Sequence, residues 1–247
     1  MNFFKIIKFD FMNILRNPML VMFNTIFPLI LIGVMGFVTK GGYGAGVVSS
    51  YDYYGVTMMI FVALMISMTA TNAFMEERVK RGNIRIVFAP VSKTEIYLSK
   101  LISTYILGTI SYSIILLAGQ YLFHINFGGE SLPYIMLLIN TLSLFGCSLG
   151  VLFCCIFKRE EAANSTMQIP ILLFVFFGGS FFSAASLGKL AEKISYLSPI
   201  KWITQSAFQI IYDSNFSIYV PTLALMLLAS IICIIICEFI FKPEEYV

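Results

Sequence analysis

Between residues 53 and 75 the chain has no lysine, arginine, aspartate or glutamate, and that run is as long as a membrane is thick. A helix needs roughly 20 apolar residues to cross the hydrocarbon layer. In that layer each backbone amide must find its partner within the chain, so such a run folds as a helix. Five more apolar runs, free of charge except for Glu238 in the last, occupy about 19–38, 101–123, 133–157, 166–185 and 218–241. The expected fold is therefore an all-α integral membrane protein with six transmembrane helices. Charged residues make up only 12% of the chain, which leaves no stretch for a soluble catalytic domain, so residues 1–247 read as one transmembrane domain.

The connecting segments set the orientation. With the N-terminus inside, the inner segments hold twelve of the 16 basic residues, from Lys5, Lys8 and Arg16 through the 76–100 loop to Lys158, Arg159 and Lys242. The outer segments hold four, Lys40, Lys189, Lys193 and Lys201. The positive-inside rule selects this orientation, with both termini cytoplasmic in a bacterial plasma membrane. The first stretch is amphipathic, with no small-residue cleavage site after it, and does not read as a cleaved signal peptide. Phe3, Phe4, Ile7, Phe11, Ile14 and Leu15 share one helical face, opposite Lys5, Lys8 and Arg16. That pattern predicts a helix lying on the membrane surface. Asn17-Pro18 then starts a new helix, as N-cap and first helical residue.

Local chemistry narrows the function further. The five cysteines, Cys147, Cys154, Cys155, Cys233 and Cys237, all lie within apolar runs and read as reduced, packed thiols. No phosphate-binding P-loop, HExxH or nucleophile triad is present, so the chain reads as a non-enzyme with no cofactor or metal of its own. No basic stripe is free of the membrane, so no nucleic-acid partner is expected. Mid-membrane charge is nearly absent; Glu238 is expected to pair locally with Lys242 or to snorkel. Gly146 and Gly150 form a GxxxG pair suited to close packing within the chain or against a second copy. The run 166–185 gathers Phe174, Phe176, Phe177, Phe181 and Phe182 with Gly178, Gly179, Ser180 and Ser183. Phe174, Phe177 and Phe181, with the polar Asn140 and Gln168, are the candidate lining of a greasy substrate pathway beside membrane lipid.

Two polar segments remain. In residues 76–100, Gly82-Asn83 interrupts the helix, Ile84, Val87 and Phe88 stand as apolar knobs among Arg81 and Arg85, and Pro90 closes the piece. Ser92 and Glu95 form a capping box, so the third helix starts well before the membrane. Residues 186–217 hold helical spacing at Leu187, Leu190, Ile194 and Leu197. Ser198-Pro199 then opens a second short helix, with Trp202 suited to the headgroup zone.

Taken in order, these segments resemble the type-2 permeases of ABC transporters (ABC-2), similar to the membrane subunits of bacterial drug and antimicrobial-peptide exporters. The likeness is carried by the amphipathic helix before Asn17-Pro18, by EERVKRGNIRIVFAPVSKTEIYLSK at 76–100, by the KREEAAN turn and by LSPIKW. It implies an elbow helix at 1–17, a short cytoplasmic coupling helix around 82–89, and an extracellular re-entrant helical hairpin within 186–217, as in type V exporters. It further implies that Glu76, Glu77, Arg81, Gly82, Ile84, Arg85, Val87, Phe88 and Pro90 couple the chain to two copies of a separate ATPase, which binds ATP and magnesium. A second permease copy, identical or related, completes the assembly, with the fifth span near the dimer axis. The expected cargo is an amphipathic or hydrophobic molecule: a toxin-like or antimicrobial peptide, a drug or a lipid. The alternatives are a secondary transporter or channel acting without an ATPase, and a membrane scaffold or immunity protein.

Overall fold

The structure, a computed structural model, describes residues 3–40, 48–76, 91–179, 195, 196 and 198–242. Among these residues all regular structure is helical. The helices are α1 (Phe3–Leu15), α2 (Pro18–Val38), α3 (Ser50–Met75), α4 (Lys93–Tyr121), α5 (Leu132–Phe157), α6 (Glu160–Phe177), α7 (Pro199–Asp213) and α8 (Tyr219–Ile240). Five of them, α2, α3, α4, α5 with the 3₁₀ turn before it, and α8, are long and apolar enough to cross a membrane. The helix ends near α1 are called the α1 end below, and the opposite ends the far end.

The helix boundaries follow from caps. Pro18 takes the first position of α2, with Asn17 extended before it. Ser92 and Glu95 form the expected capping box: Ser92 Oγ accepts from the Glu95 amide and Glu95 Oε2 from the Ser92 amide at 3.0 Å. α5 ends where Lys158 adopts a left-handed φ of 58°, and α6 restarts two residues later. The expected bounds of the fifth span are therefore corrected. The helix begins at Glu160 and ends at Phe177, and Gly179 is left-handed at φ 80°. Glu160 and Glu161 sit in its first turn, where the helix dipole favours anions. Residues 180–194, and with them Phe181, Phe182 and the first half of the expected outer hairpin, lie outside the described residues. The short helix expected to open at Ser198-Pro199 is present, as α7.

α3 and α5 make the centre of the bundle. Their close approach explains the glycine pair. A Cβ on Gly146 would lie 2.9 Å from the Leu64 carbonyl oxygen, and one on Gly150 2.3 Å from that of Ser67. The GxxxG face is thus spent within the chain. α2 buries one row at every fourth residue, Leu20, Asn24, Pro28, Ile32 and Gly36; Phe27, Leu31 and Met35 beside it are partly buried against the core, while Met19, Met22, Ile26, Ile30, Val34 and Phe37 are exposed. α1 also uses a row of this spacing, Ile6, Asp10 and Ile14. The phenylalanine face read from the sequence is offset from this row and shares Ile14 with it; Phe3, Ile7 and Phe11 are half-buried, and Phe4 and Leu15 stay exposed. At the far end Phe127 inserts its ring into a notch between Gly55 and Gly119. Gln120 Oε1 holds that loop by accepting from the amides of Phe127 (2.8 Å) and Gly129 (3.3 Å). All five cysteines are free and buried, and Cys155 of α5 and Cys237 of α8 are neighbours.

Candidate functional site

The α1 end carries most of the polar chemistry. The first two turns of α4 are held from two sides. On one side Glu238 of α8 receives Thr94 Oγ1 at 2.9 Å and the Tyr97 hydroxyl at 2.8 Å, and pairs with Lys93 Nζ at 3.2 Å. The expected local partner Lys242 is thus replaced or joined by a helix more than a hundred residues away in sequence. On the other side Asp10 of α1 pairs with Lys100 Nζ and accepts from Ser99 Oγ at 2.7 Å. Asp10 and Lys100 are 2% and 1% exposed. A buried charge is tolerated only with such a partner. Sequence reading placed Lys100 among solvated loop cations and passed over Asp10. The one signal was the four-residue spacing Ile6, Asp10, Ile14.

A second polar group ties the other helix ends together. Asn17 Nδ2 donates to Glu76 Oε2 at 3.2 Å, and Asn164 Nδ2 of α6 donates to Asn72 Oδ1 of α3 at 3.0 Å. Burial, with the nearby carboxylates Glu76 and Glu161, pushes the Glu160 carboxyl above the usual range. These two groups flank the segment that joins α3 to α4. Of the residues expected to meet an ATPase, Glu76 is placed here; Glu77, Arg81, Gly82, Ile84, Arg85, Val87, Phe88 and Pro90 lie outside the described residues.

The predicted pathway residues do not form one cluster. Gln168 is exposed on α6, six and nine residues before Phe174 and Phe177, about 9 and 14 Å of helix. Phe174 and Phe177 are half-buried; the Phe174 carbonyl accepts from Ser198 Oγ at 2.6 Å and Phe177 stands edge-on to Phe176. Asn140 of α5 is half-buried, and its Oδ1 is enclosed without a hydrogen-bond partner.

A groove of about 330 Å³ between α2 and α3 was not anticipated. Met19, Met22, Phe23 and Ile26 form its α2 wall, and Met68, Thr69 and Asn72 its α3 wall. It runs toward the α1 end, where Asn72 meets Asn164. Behind it Asn24 is fully enclosed. Its Nδ2 donates to Thr69 Oγ1 and to the Leu20 carbonyl, each at 2.8 Å, and its Oδ1 accepts from the Tyr112 hydroxyl at 2.7 Å. That network fixes the spacing of α2, α3 and α4, so the groove has a rigid back and flexible, methionine-rich walls.

Comparison with known proteins agrees with this architecture. The profile of the family described as ABC-2 family transporter protein matches residues 43–237. Over 152 residues the chain is 22% identical to the linearmycin resistance permease protein LnrN of Bacillus subtilis (strain 168). That alignment takes in 62% of this chain and 39% of the relative, so the chain spans well under half of the protein it matches. With the profile covering most of the chain, the helical bundle described above belongs to the ABC-2 family of transporter proteins, as a multi-pass membrane subunit.

Proposed function

We propose that the chain is the permease subunit of an ATP-driven exporter that moves an amphipathic or hydrophobic molecule out of the cell. In this reading α6 and the chain that follows it make the sixth crossing of the membrane, and both termini are cytoplasmic. Two copies of a separate ATPase bind ATP and magnesium and push on residues 76–100. A second permease copy completes the pathway, and the chain alone hydrolyses no ATP. The observation that carries the reading is the α2–α3 groove: apolar, open to the side, and leading toward the amide of Asn72. Such a groove suits a molecule with a greasy body and a polar end, entering from the inner leaflet. A bare ion would need ligands to replace its water, and the buried charges Asp10 and Lys100 already hold each other. The resistance named for the Bacillus relative fits a role in removing a harmful compound. The test is ATP-driven uptake into inside-out vesicles carrying the chain and its ATPase, comparing labelled peptides, dyes, lipids and sodium. Uptake of an amphipathic compound that falls when Met68→Trp narrows the groove supports the proposal. Sodium uptake with no response to any amphipathic compound overturns it.

A further inference from the structure

A second cavity, of about 260 Å³, lies at the far end between α2 and α4, on a different flank of α2 from the groove. Its walls are Leu29, Ile32 and Gly33 of α2, Ile115 of α4, and Phe123 and Ile125 just beyond α4, with the Tyr51 ring at one edge. Every wall but that edge is hydrocarbon. An apolar cavity of this kind stays free of water, and about 150 Å³ is already enough to hold a benzene-sized guest.

Gly33 makes the cavity a built feature. In a helix interior glycine costs about 1 kcal/mol relative to alanine. The other helical glycines described here return that cost in contact. A Cβ would come within 2.3 Å of the Tyr51 ring at Gly36, 2.7 Å of Ile125 at Gly55, 2.2 Å of Ile66 at Gly108 and 2.5 Å of Phe127 at Gly119. At Gly33 a Cβ would meet nothing within 4 Å. The missing side chain serves open space, not packing. Of the wall residues Leu29, Gly33 and Phe123 are exposed, as are their chain neighbours Val34 and Phe37 on α2 and Ile114 on α4. In a spanning protein their surroundings are lipid tails.

We infer that this cavity is a binding site for one acyl chain of a phospholipid from the far-end leaflet, which is the outer leaflet in the orientation proposed above. The volume of about 260 Å³ exceeds that benzene-sized space and takes part of one acyl chain. The rest of the chain and the headgroup remain in the bilayer. The lipid then acts as a removable wedge between α2 and α4 at the end where Asn24 does not tie them.

The test uses the full chain in nanodiscs containing a phospholipid with a diazirine partway along one acyl chain. After irradiation, adducts are mapped by mass spectrometry. Expected are adducts on the 29–33 and 115–125 stretches that unlabelled lipid competes away saturably, unlike adducts on exposed Ile235 and Phe239 of α8. Gly33→Leu fills the cavity and should lower the first set at least five-fold while leaving the α8 adducts and the melting temperature unchanged. Should that variant fold poorly, Gly33→Cys alkylated with N-ethylmaleimide after folding fills the same space. Cavity adducts no different from those on α8, or unaffected by filling Gly33, overturn the proposal. So does disulfide cross-linking of Gly33→Cys between two copies without any lipid adduct, which assigns the cavity to a second permease. None of these readouts uses transport, so the lipid site fails or stands separately from the exporter reading.

Discussion

Removing one partner of the Asp10–Lys100 pair should be costly, and the cost should depend on pH in opposite directions for the two partners. In Lys100→Met the Asp10 carboxylate keeps only the Ser99 hydroxyl, at 2.7 Å, and stays enclosed. Stranded buried charges cost about 3–5 kcal/mol. An escape is open: a stranded carboxylate can bind a proton, and in Asp10→Asn a stranded ammonium can lose one, each at about 4 kcal/mol at pH 7. The expected loss is therefore about 3–4 kcal/mol for either variant, roughly 10 °C in melting temperature for a chain of this size. Acidification makes the first escape cheaper, by about 1.4 kcal/mol per pH unit, so the Lys100→Met deficit shrinks between pH 7 and pH 5. The Asp10→Asn deficit shrinks instead between pH 7 and pH 9. The double variant Asp10→Asn/Lys100→Met strands no charge and should recover to within about 1 kcal/mol of the parent. Thermal unfolding of the detergent-solubilised chain, followed by intrinsic fluorescence from pH 5 to pH 9, reads all three. Single variants within about 0.5 kcal/mol of the parent, with no pH slope, would refute the reasoning, because they would mean that water reaches the pair.

Three further outcomes are expected. Asn24→Leu, which leaves Thr69 without its donor and Tyr112 with only its longer bond to the Val62 carbonyl, should lower stability by about 1–2 kcal/mol in the same unfolding assay, and an unchanged melting temperature would count against the network. The raised Glu160 carboxyl means that the folded state binds its proton more tightly, so this group's contribution is present in acid and lost as pH rises through and above the ordinary carboxylate range; Glu160→Gln should gain roughly 1 °C at pH 7, small because the group is only partly buried, and nothing at pH 4. Copper-phenanthroline oxidation should join Cys155 to Cys237, seen as a disulfide-linked peptide pair that Cys155→Ser abolishes; no such pair would place α5 and α8 farther apart than their neighbouring thiols require.

What the sequence makes legible here is set by the strength of each local signal. Charge-free runs twenty residues long admit few alternatives to helix, and Ser92, Glu95, Asn17 and Pro18 mark helix starts through backbone chemistry that needs no tertiary partner. The order of segments identified the family. Contacts between helices were not legible. Glu238 has Lys242 one turn away in sequence, yet its described partners are on α4, because packing brings the base of α4 against the end of α8. Asp10 and Asn24 look like isolated polar residues until α4 arrives with Lys100 and Tyr112. The groove has no sequence signal of its own: it is the space left where Met19, Met22, Phe23 and Ile26 of α2 face Met68, Thr69 and Asn72 of α3 without closing on them. The fifth span was extended past Phe177 because hydropathy continues there, whereas Gly179 turns the backbone left-handed.

The Asn24 network also sets a clock on the making of the protein. When α2 first enters the bilayer, the only partner within its own helix is the Leu20 carbonyl. Thr69 follows 45 residues later and Tyr112 88 residues later. At about 5–20 residues per second the ribosome needs roughly 4–18 s to deliver the last of them. Throughout that interval α2 carries a half-satisfied amide that lipid cannot serve, so it gains from staying beside the insertion machinery until α4 emerges. Nascent chains that stop before Tyr112 keep that mark of incompleteness, and a membrane protease that samples exposed amides has a physical basis for removing them.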